Sequence, residues 1–144
     1  MKMNVSIGSD HAGFELKEKL RTYLSSKDIA CLDKGTFNSE RADYSDYGQA
    51  VARSILSKEA LFGILICGSG IGISISANRF RGVRAALCWN GEITALARQH
   101  NDANILVLPA RFISFEEACK CVDVFLSEKF EGGRHQARID KIDL

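Results

Sequence analysis

The sequence predicts a three-layer α/β/α fold, in which helices cover both faces of a parallel sheet. Short β-rich runs alternate along the chain with longer segments of helical period, and the connections between them are short. The run from Leu61 to Cys67 is apolar throughout, as expected for a central parallel strand that is covered on both faces. This repeating strand-helix order implies a parallel sheet between two layers of helices.

Each element follows from its local pattern. The predicted strands are Val5 to Gly8, Ile29 to Leu32, Leu61 to Cys67, Val83 to Cys88 and Asn104 to Leu108. The predicted helices are Phe14 to Ser26, a helix capped by Ser45, Ile73 to Arg79, Glu92 to Gln99, and a helix opened by the capping box Ser114-Phe115-Glu116-Glu117. After Gly132-Gly133 a further short helix, Arg134 to Ile142, lies outside the repeating units and needs a surface to dock on.

Composition restricts the kinds of partner. The chain has 144 residues, is 46% hydrophobic and carries a net charge of +1, which suits a single domain over residues 1–144. Because the charges nearly cancel, no overall field draws the chain to nucleic acid or to a membrane. Any anionic ligand must be held by a local cluster of side chains.

The sequence also predicts a cytoplasmic location. The longest apolar runs fall far short of the roughly 20 residues that span a bilayer. The start, Met1-Lys2-Met3-Asn4, runs directly into a strand with no apolar signal region, which argues against export.

Cysteine and histidine usage predicts no metal site. Five cysteines occur at irregular spacing without a C-x-x-C pair, and there are only three histidines. This pattern matches neither a disulfide framework nor a zinc site. We expect Cys31, Cys88, Cys119 and Cys121 to be small buried hydrophobic residues.

Chemistry is expected at the carboxyl ends of the strands, where parallel α/β sheets bind their ligands. The run Gly68-Ser69-Gly70-Ile71-Gly72 lets backbone N–H groups converge on an anion before a helix N-terminus. Alone it is a weak signal. It is not a dinucleotide fingerprint, because Ile73 stands where the third glycine would be, and not a tyrosine phosphatase loop, because that loop needs an arginine at the same position. It is not a P-loop, because no Gly-Lys-Ser/Thr follows.

Cys67 directly precedes this turn, where backbone N–H groups and a helix N-terminus favour a thiolate that could act as base or nucleophile. The alternative is a buried cysteine that ends a buried strand. Asp10-His11 is either an acid-base pair or a helix cap beside a surface histidine, and His100-Asn101 is either functional or a polar helix end. Forked donors for a phosphate come from Arg111, Arg134 and Arg138, with His135, unless these are ordinary surface charges.

Seven segments together resemble the type B ribose-5-phosphate isomerases of the ribose/galactose isomerase family, in order over nearly the whole chain. They are Gly8-Ser9-Asp10-His11-Ala12-Gly13-Phe14, Asp33-Lys34-Gly35-Thr36, Asp43-Tyr44, Ile66-Cys67-Gly68-Ser69-Gly70-Ile71-Gly72-Ile73-Ser74, Ala77-Asn78-Arg79, Arg98-Gln99-His100-Asn101-Asp102-Ala103-Asn104 and Glu131-Gly132-Gly133-Arg134-His135.

The resemblance implies a Rossmann-like fold whose five strands lie in the order 2-1-3-5-4. It also implies a homodimer, possibly paired into a tetramer, with sites shared between subunits and the C-terminal helix docked on the partner. The implied reaction interconverts D-ribose 5-phosphate and D-ribulose 5-phosphate, by ring opening and a cis-enediolate, without metal or organic cofactor.

Residue roles follow from the same resemblance. Cys67 matches the base for enolisation, Ser69 a neighbouring hydroxyl, and His100, assisted by Asp10, the ring-opening group. Ile73 stands where some members carry a glutamate base, so Cys67 has no rival. The matching substrate-binding residues are His11, Tyr44, Gly68, Gly70, Ile71, Gly72, Ser74, Asn101, Arg111, Arg134, His135 and Arg138.

Two other functions stay open. One is a hexose-6-phosphate isomerase of the same fold, acting on allose or galactose 6-phosphate, because pocket depth is not visible in the sequence. The other is a non-catalytic module that binds sugar phosphates.

Overall fold

The computed structural model describes residues 3–144. Its strands are β1 (Asn4–Ser9), β2 (Ala30–Asp33), β3 (Phe62–Cys67), β4 (Ala85–Leu87) and β5 (Ile105–Pro109). Its helices are α1 (Phe14–Ser26), α2 (Tyr44–Leu56), α3 (Ile71–Ala77), α4 (Gly91–Asn101), α5 (Phe115–Ser127) and α6 (Arg134–Ile139). Met1 and Lys2 belong to the segment in which the sequence predicts no apolar signal region, and they lie outside the described residues.

All five strands are parallel and lie in the order β2-β1-β3-β5-β4. The predicted fold class and strand order are therefore confirmed. Helix α1 has the predicted bounds, and the other elements shift by a few residues. Within residues 3–144, no helix combines the length and the apolarity that crossing a bilayer requires.

Three local predictions need correction. Ser45 does not cap α2, because the helix begins one residue earlier and Asp43 precedes it without a side-chain cap. Strand β4 is only three residues long, and the Asn78 side chain binds both backbone groups of its first residue, Ala85, at 2.8 and 2.9 Å. The capping box is half formed: Ser114 accepts from the Glu117 N–H, but the Glu117 carboxylate accepts from the Gly91 N–H at the start of α4.

Strand β3 separates two apolar clusters, as its sequence predicts. Ile64 and Ile66 pack on the side of α1, α4 and α5, while Leu65 and Cys67 pack on the side of α2 and α3. Alternate side chains of a strand point to opposite faces, so a strand that is covered on both faces must be apolar at every position. The core thus lies in two layers, one on each side of the sheet.

A buried lysine joins α1 to β2. Lys17 is fully buried, and its Nζ donates to both oxygens of Asp33 at 2.8 and 2.9 Å. Asp33 also accepts from the Gly35 N–H at 2.9 Å, and the Gly35 carbonyl accepts from the Ser9 N–H at 2.8 Å. Because a buried charge is tolerated only when it is paired, this pair stabilises the loop after β2 against the end of β1.

Helix α4 ends at the opposite edge of the sheet from the strand ends. A helix that connects parallel strands runs back along the sheet, so α4 starts at the carboxyl edge and ends at the amino edge. The Gly63 N–H, at the start of β3, accordingly donates to the Asn104 carbonyl at 2.9 Å. Helix α6 follows at the same edge, because the Glu131 N–H just before it donates to the Gln99 carbonyl at 3.0 Å.

Candidate active site in two halves

The predicted site residues fall into two groups at opposite edges of the sheet. The carboxyl-edge half-site comprises Asp10, His11, Tyr44, Cys67, Gly68, Ser69, Gly70, Ile71, Gly72, Ser74 and Arg111. The amino-edge half-site comprises His100, Asn101, Arg134, His135 and Arg138.

Cys67 ends β3 and is 4% exposed, with Val51 and Ile73 in the same apolar cluster. It leads into the glycine turn, where Gly70 has φ +76°. A side chain at Gly70 would be strained in this conformation, and its Cβ would lie 2.4 Å from Leu87 Cδ1. The turn therefore needs glycine here for both backbone and space.

Two amides of the turn already have partners. The Ile71 N–H donates to Ser69 Oγ at 3.2 Å, and the Ser74 N–H donates to the Gly70 carbonyl at 3.2 Å. The Ser74 hydroxyl donates to the Ile71 carbonyl at 2.9 Å. These two amides are therefore not free to bind an anion in this structure, because one bonds to Ser69 Oγ and the other makes the first helical hydrogen bond of α3.

Asp10 and His11 follow β1 beside this turn. Asp10 is 7% exposed, and its carboxylate accepts from the Gly13 N–H at 3.0 Å. It stabilises the turn before α1 but is not the N-cap of that helix, which is Gly13. His11 is half-buried rather than a surface residue, and its Nδ1 lies 3.2 Å from both the backbone nitrogen and the carbonyl oxygen of Ala42. The neutral ring can accept from the Ala42 N–H, and the protonated ring can donate to the Ala42 carbonyl. His11 therefore has a backbone partner in either charge state.

Arg111 and Tyr44 lie directly over two glycines of the turn. The Arg111 N–H donates to the Gly68 carbonyl at 3.0 Å, and a Cβ on Gly68 would lie 3.0 Å from the Arg111 guanidinium. A Cβ on Gly72 would lie 2.7 Å from the Tyr44 ring. The absence of side chains at Gly68 and Gly72 thus lets an arginine and a tyrosine approach the backbone.

The amino-edge half-site is built on a pair of histidines. The His100 and His135 rings stack with centroids 4.4 Å apart and an interplanar angle of 14°. Glu131 Oε1 lies 3.9 Å from His100 Nε2 and 3.6 Å from His135 Nε2. Burial, together with the positive charge of His100 and Arg134, lowers the pKa of His135 below its ordinary value.

The remaining members of this half-site are exposed. Arg134, Arg138 and Asn101 are open to solvent, and the Asn101 carbonyl accepts from the Arg84 guanidinium at 3.2 Å. Arg134 and Arg138 lie four residues apart on α6, as predicted, and so share a face of the helix. The half-site therefore presents two unburied guanidinium groups next to stacked imidazoles.

Within one chain the two half-sites do not meet. Ile105 and Pro109 begin and end β5, and four steps of about 3.3 Å separate the two edges by about 13 Å. His100 therefore lies remote from Asp10 and from Cys67. The predicted assistance of His100 by Asp10 is not made inside a single chain, because the polypeptide reaches His100 only after α4 has run back across the sheet.

Sequence reasoning gave no role to two residues that the structure places in these networks. Glu131 lies within reach of both histidines of the amino-edge half-site, and its spacing of four residues from His135 was the available signal. Lys17 stabilises the loop after β2 through its bonds to Asp33, but the periodic pattern of a helix does not distinguish a buried lysine from an exposed one.

Comparison with known proteins agrees with this geometry. The family model described as Ribose/Galactose Isomerase matches residues 5–142. The chain belongs to the ribose/galactose isomerase family. As a member of this family it is an isomerase, and the resemblance seen in the sequence is confirmed.

Relatives within the family are similar over almost their full lengths. Ribose-5-phosphate isomerase B of Escherichia coli is 44% identical over 138 residues, covering 96% of this chain and 93% of that protein. A crystal structure of a ribose 5-phosphate isomerase from Thermotoga maritima has 57% identity and a TM-score of 0.98, with 99% of each chain covered. The ribose-5-phosphate isomerase B of Mycoplasma genitalium, solved with bound ribulose-5-phosphate, has 44% identity and a TM-score of 0.92, covering 99% of this chain and 95% of that one.

Proposed function

We propose that this protein interconverts D-ribose 5-phosphate and D-ribulose 5-phosphate in sites shared by the two subunits of a homodimer. The observation that supports a shared site is the separation of the two half-sites within one chain by the full length of a strand. A carboxyl-edge half-site of one subunit would then face the amino-edge half-site of the other. Two-fold symmetry makes such a contact twice, so each dimer has two complete sites.

Phosphate binding comes first in this proposal. His11 and Arg111 of one subunit, with Arg134, His135 and Arg138 of the partner subunit, surround the phosphate dianion. Guanidinium groups form paired, charge-assisted hydrogen bonds with phosphate oxygens. Binding energy at this non-reacting end holds the sugar carbons against the catalytic groups.

Ring opening needs a proton moved between the ring oxygen and the anomeric hydroxyl. His100 of the partner subunit is suited to this, because an imidazole can both donate and accept a proton. Asp10, at the carboxyl edge, would assist by orienting the sugar hydroxyl. The product is the open-chain aldose, whose C1 carbonyl makes the C2 proton acidic.

Isomerisation then moves one proton between two carbons. The Cys67 thiolate takes the proton from C2, and the electron pair forms the C1–C2 double bond of the cis-enediolate. The same thiol returns the proton to C1, while Ser69 assists proton movement between the two sugar oxygens. The amides of the glycine turn stabilise the negative oxygen, a kind of contact that is typically worth about 3 to 4 kcal/mol. Burial of Cys67 keeps water from the enediolate.

We also propose that residues 1–144 act as one domain and that the protein works in the cytoplasm. A phosphorylated sugar carries charge that the apolar core of a membrane excludes, so enzyme and substrate must share a compartment. A second pairing of dimers into a tetramer is compatible with the two-fold symmetry of the proposed dimer.

A side-by-side assay tests the substrate. Purified full-length protein is given ribose 5-phosphate, allose 6-phosphate and galactose 6-phosphate, and ketose formation is followed in each. We expect kcat/KM for ribose 5-phosphate to exceed that for either hexose phosphate by roughly tenfold or more, the usual discrimination against one extra carbon. Preference for a hexose phosphate would select the alternative isomerase. Binding without turnover of any of the three would select the non-catalytic module.

A further inference from the structure

We propose that His100, Glu131 and His135 form a binding site for a late divalent transition metal ion such as Zn²⁺, and that the bound ion inhibits the isomerase. The inhibition rests on the proposed function, whereas the binding does not. The ion would be an inhibitor and not a cofactor, since it occupies a nitrogen that the proposed reaction uses.

Distances between the ligand atoms support this site. One ligand atom from each of the three residues lies within 4.8 Å of the other two. Glu131 Oε1 is 3.6 Å from His135 Nε2 and 3.9 Å from His100 Nε2. Bonds of about 2.0 to 2.1 Å in a tetrahedral Zn²⁺ complex place neighbouring ligand atoms about 3.3 Å apart. The two stacked rings must tilt toward a common point, and the carboxylate must move closer, to bring the three ligand atoms to bonding distance.

The donor set also fits the ion. Two imidazoles and a carboxylate are ligands that Zn²⁺ and its neighbours in the first transition row bind well, and they leave a coordination position for water. His100 lies in the last turn of α4, where the helix dipole favours positive charge.

The backbone holds the three residues together before any ion arrives. The Glu131 N–H donates to the Gln99 carbonyl at 3.0 Å, and the His135 N–H donates to the Gly132 carbonyl at 3.1 Å. His135 is 8% exposed, whereas His100 and Glu131 are 40% and 53% exposed. Within a single chain the site is thus anchored on one side and open on the other, and in the proposed dimer an ion would enter that open side through the substrate cavity.

The neighbouring arginines limit how tightly a cation binds. Arg134 and Arg138 lie on the same helix as His135, and their positive charge disfavours Zn²⁺. Among the three ligands only the Glu131 carboxylate offsets this positive charge. We therefore expect a reversible, inhibitory site rather than a structural one, because structural zinc sites have four protein ligands and no open position.

Metal binding is measured first, without substrate. Full-length protein freed of metal by chelation is titrated with Zn²⁺ against a chromogenic chelator. Wild type is expected to bind one ion per chain, and Glu131→Ala and His135→Ala are expected to bind roughly tenfold more weakly or worse. Gln136→Ala is the matched control, because it changes an exposed neighbour of His135 that is not one of the three ligands and should bind as wild type does. Circular dichroism verifies that each variant is folded.

A second measurement identifies the ligands. Co²⁺ replaces Zn²⁺, and its absorption spectrum should lack the near-ultraviolet band of a thiolate ligand, both in wild type and in Cys67→Ser. Equal Zn²⁺ affinity in wild type, Glu131→Ala and His135→Ala would overturn the site, and so would a thiolate band in the Co²⁺ spectrum of wild type.

The inhibition is tested on ribose 5-phosphate, with each variant compared with its own metal-free rate. Wild type should lose most of its activity at saturating Zn²⁺ and regain it on addition of chelator, whereas Glu131→Ala should need roughly tenfold more Zn²⁺. Normal binding with undiminished turnover would overturn the inhibition. Absence of turnover in metal-free wild type would overturn the proposed function and leave the binding result standing.

Discussion

The two half-sites are built in different ways. At the carboxyl edge, the position of each group is set by strand ends and by backbone hydrogen bonds, and Cys67 and Asp10 are almost fully buried. At the amino edge, side chains on the ends of two helices stack against each other, and Arg134 and Arg138 are exposed. In the proposed mechanism the first half-site transfers the proton between the sugar carbons, while the second would present charge and imidazole to the partner subunit. A chemistry that needs both must bring together two copies of the chain.

Loss of the thiol is expected to give the largest effect. Cys67→Ala should lower kcat by about 10²- to 10⁴-fold or more, because it removes the proposed base, while ribose 5-phosphate still binds. Steady-state kinetics and ligand titration measure the two quantities. Cys31→Ala is the control, since that thiol lies within β2, away from the glycine turn, and burial raises its pKa to about 11. Full activity in Cys67→Ala would remove the base assigned here.

Mixing two inactive variants tests whether the halves come from different subunits. Cys67→Ala and His100→Ala are each expected to be nearly inactive, but a heterodimer of the two has one site with both wild-type halves. Random re-association of equal amounts makes half of the dimers mixed, so about one quarter of wild-type activity should return. The measurement is activity after dissociation and dilution of the mixture.

The control for this mixing experiment pairs two variants of the same half. Cys67→Ala with Arg111→Ala should recover nothing, because every site then carries a damaged carboxyl edge. Recovery in this control, or none in the first mixture, would contradict the shared site.

A smaller effect is expected from the exposed arginine of α6. Arg138→Ala should raise KM by about 10- to 100-fold, which corresponds to a lost charge-assisted hydrogen bond of about 1.5 to 3 kcal/mol. The change in kcat should be smaller, since phosphate binding is remote from proton transfer. Lys141→Ala is the matched control, because it removes an exposed positive charge just after the same helix. An unchanged KM in Arg138→Ala would exclude Arg138 from the site.

The smallest effect concerns stability and pH. The pKa of His135 in the folded protein is lowered from its ordinary value of 6.5, first by burial and then by His100. Between the lowered pKa and 6.5 the unfolded chain binds more protons than the folded one, so the free energy of unfolding decreases as the pH falls through this window. Urea unfolding at several pH values should show a shallower decrease in His135→Gln than in wild type. Gln136→Ala, an exposed neighbour, should keep the wild-type slope.

The local sequence pattern was sufficient to predict the arrangement of Cys67 and the glycine turn in the carboxyl-edge half-site. Cys67 could be placed at a strand end because the preceding run is apolar at every position, and the glycine turn could be placed beside it because parallel strands end at a common edge. Ser45 and Glu117 show where local pattern misleads. Ser45 suits an N-cap by type, but α2 already begins at Tyr44. Glu117 suits a capping box, but its carboxylate accepts from the N–H at the start of α4, which tertiary packing brings near.

The order of strands and helices, the parallel sheet and the chemical types gathered at its carboxyl edge were determined by the sequence itself, because hydrophobic period and turn residues act over short stretches of chain. Only the tertiary structure decided that His100 and His135 stack beside Glu131, that Lys17 is buried against Asp33, and that the predicted site residues of α4 and α6 lie at the amino edge of the sheet. These facts depend on where distant segments meet. Such contacts are set by the packing of whole elements, which no local pattern of residues encodes.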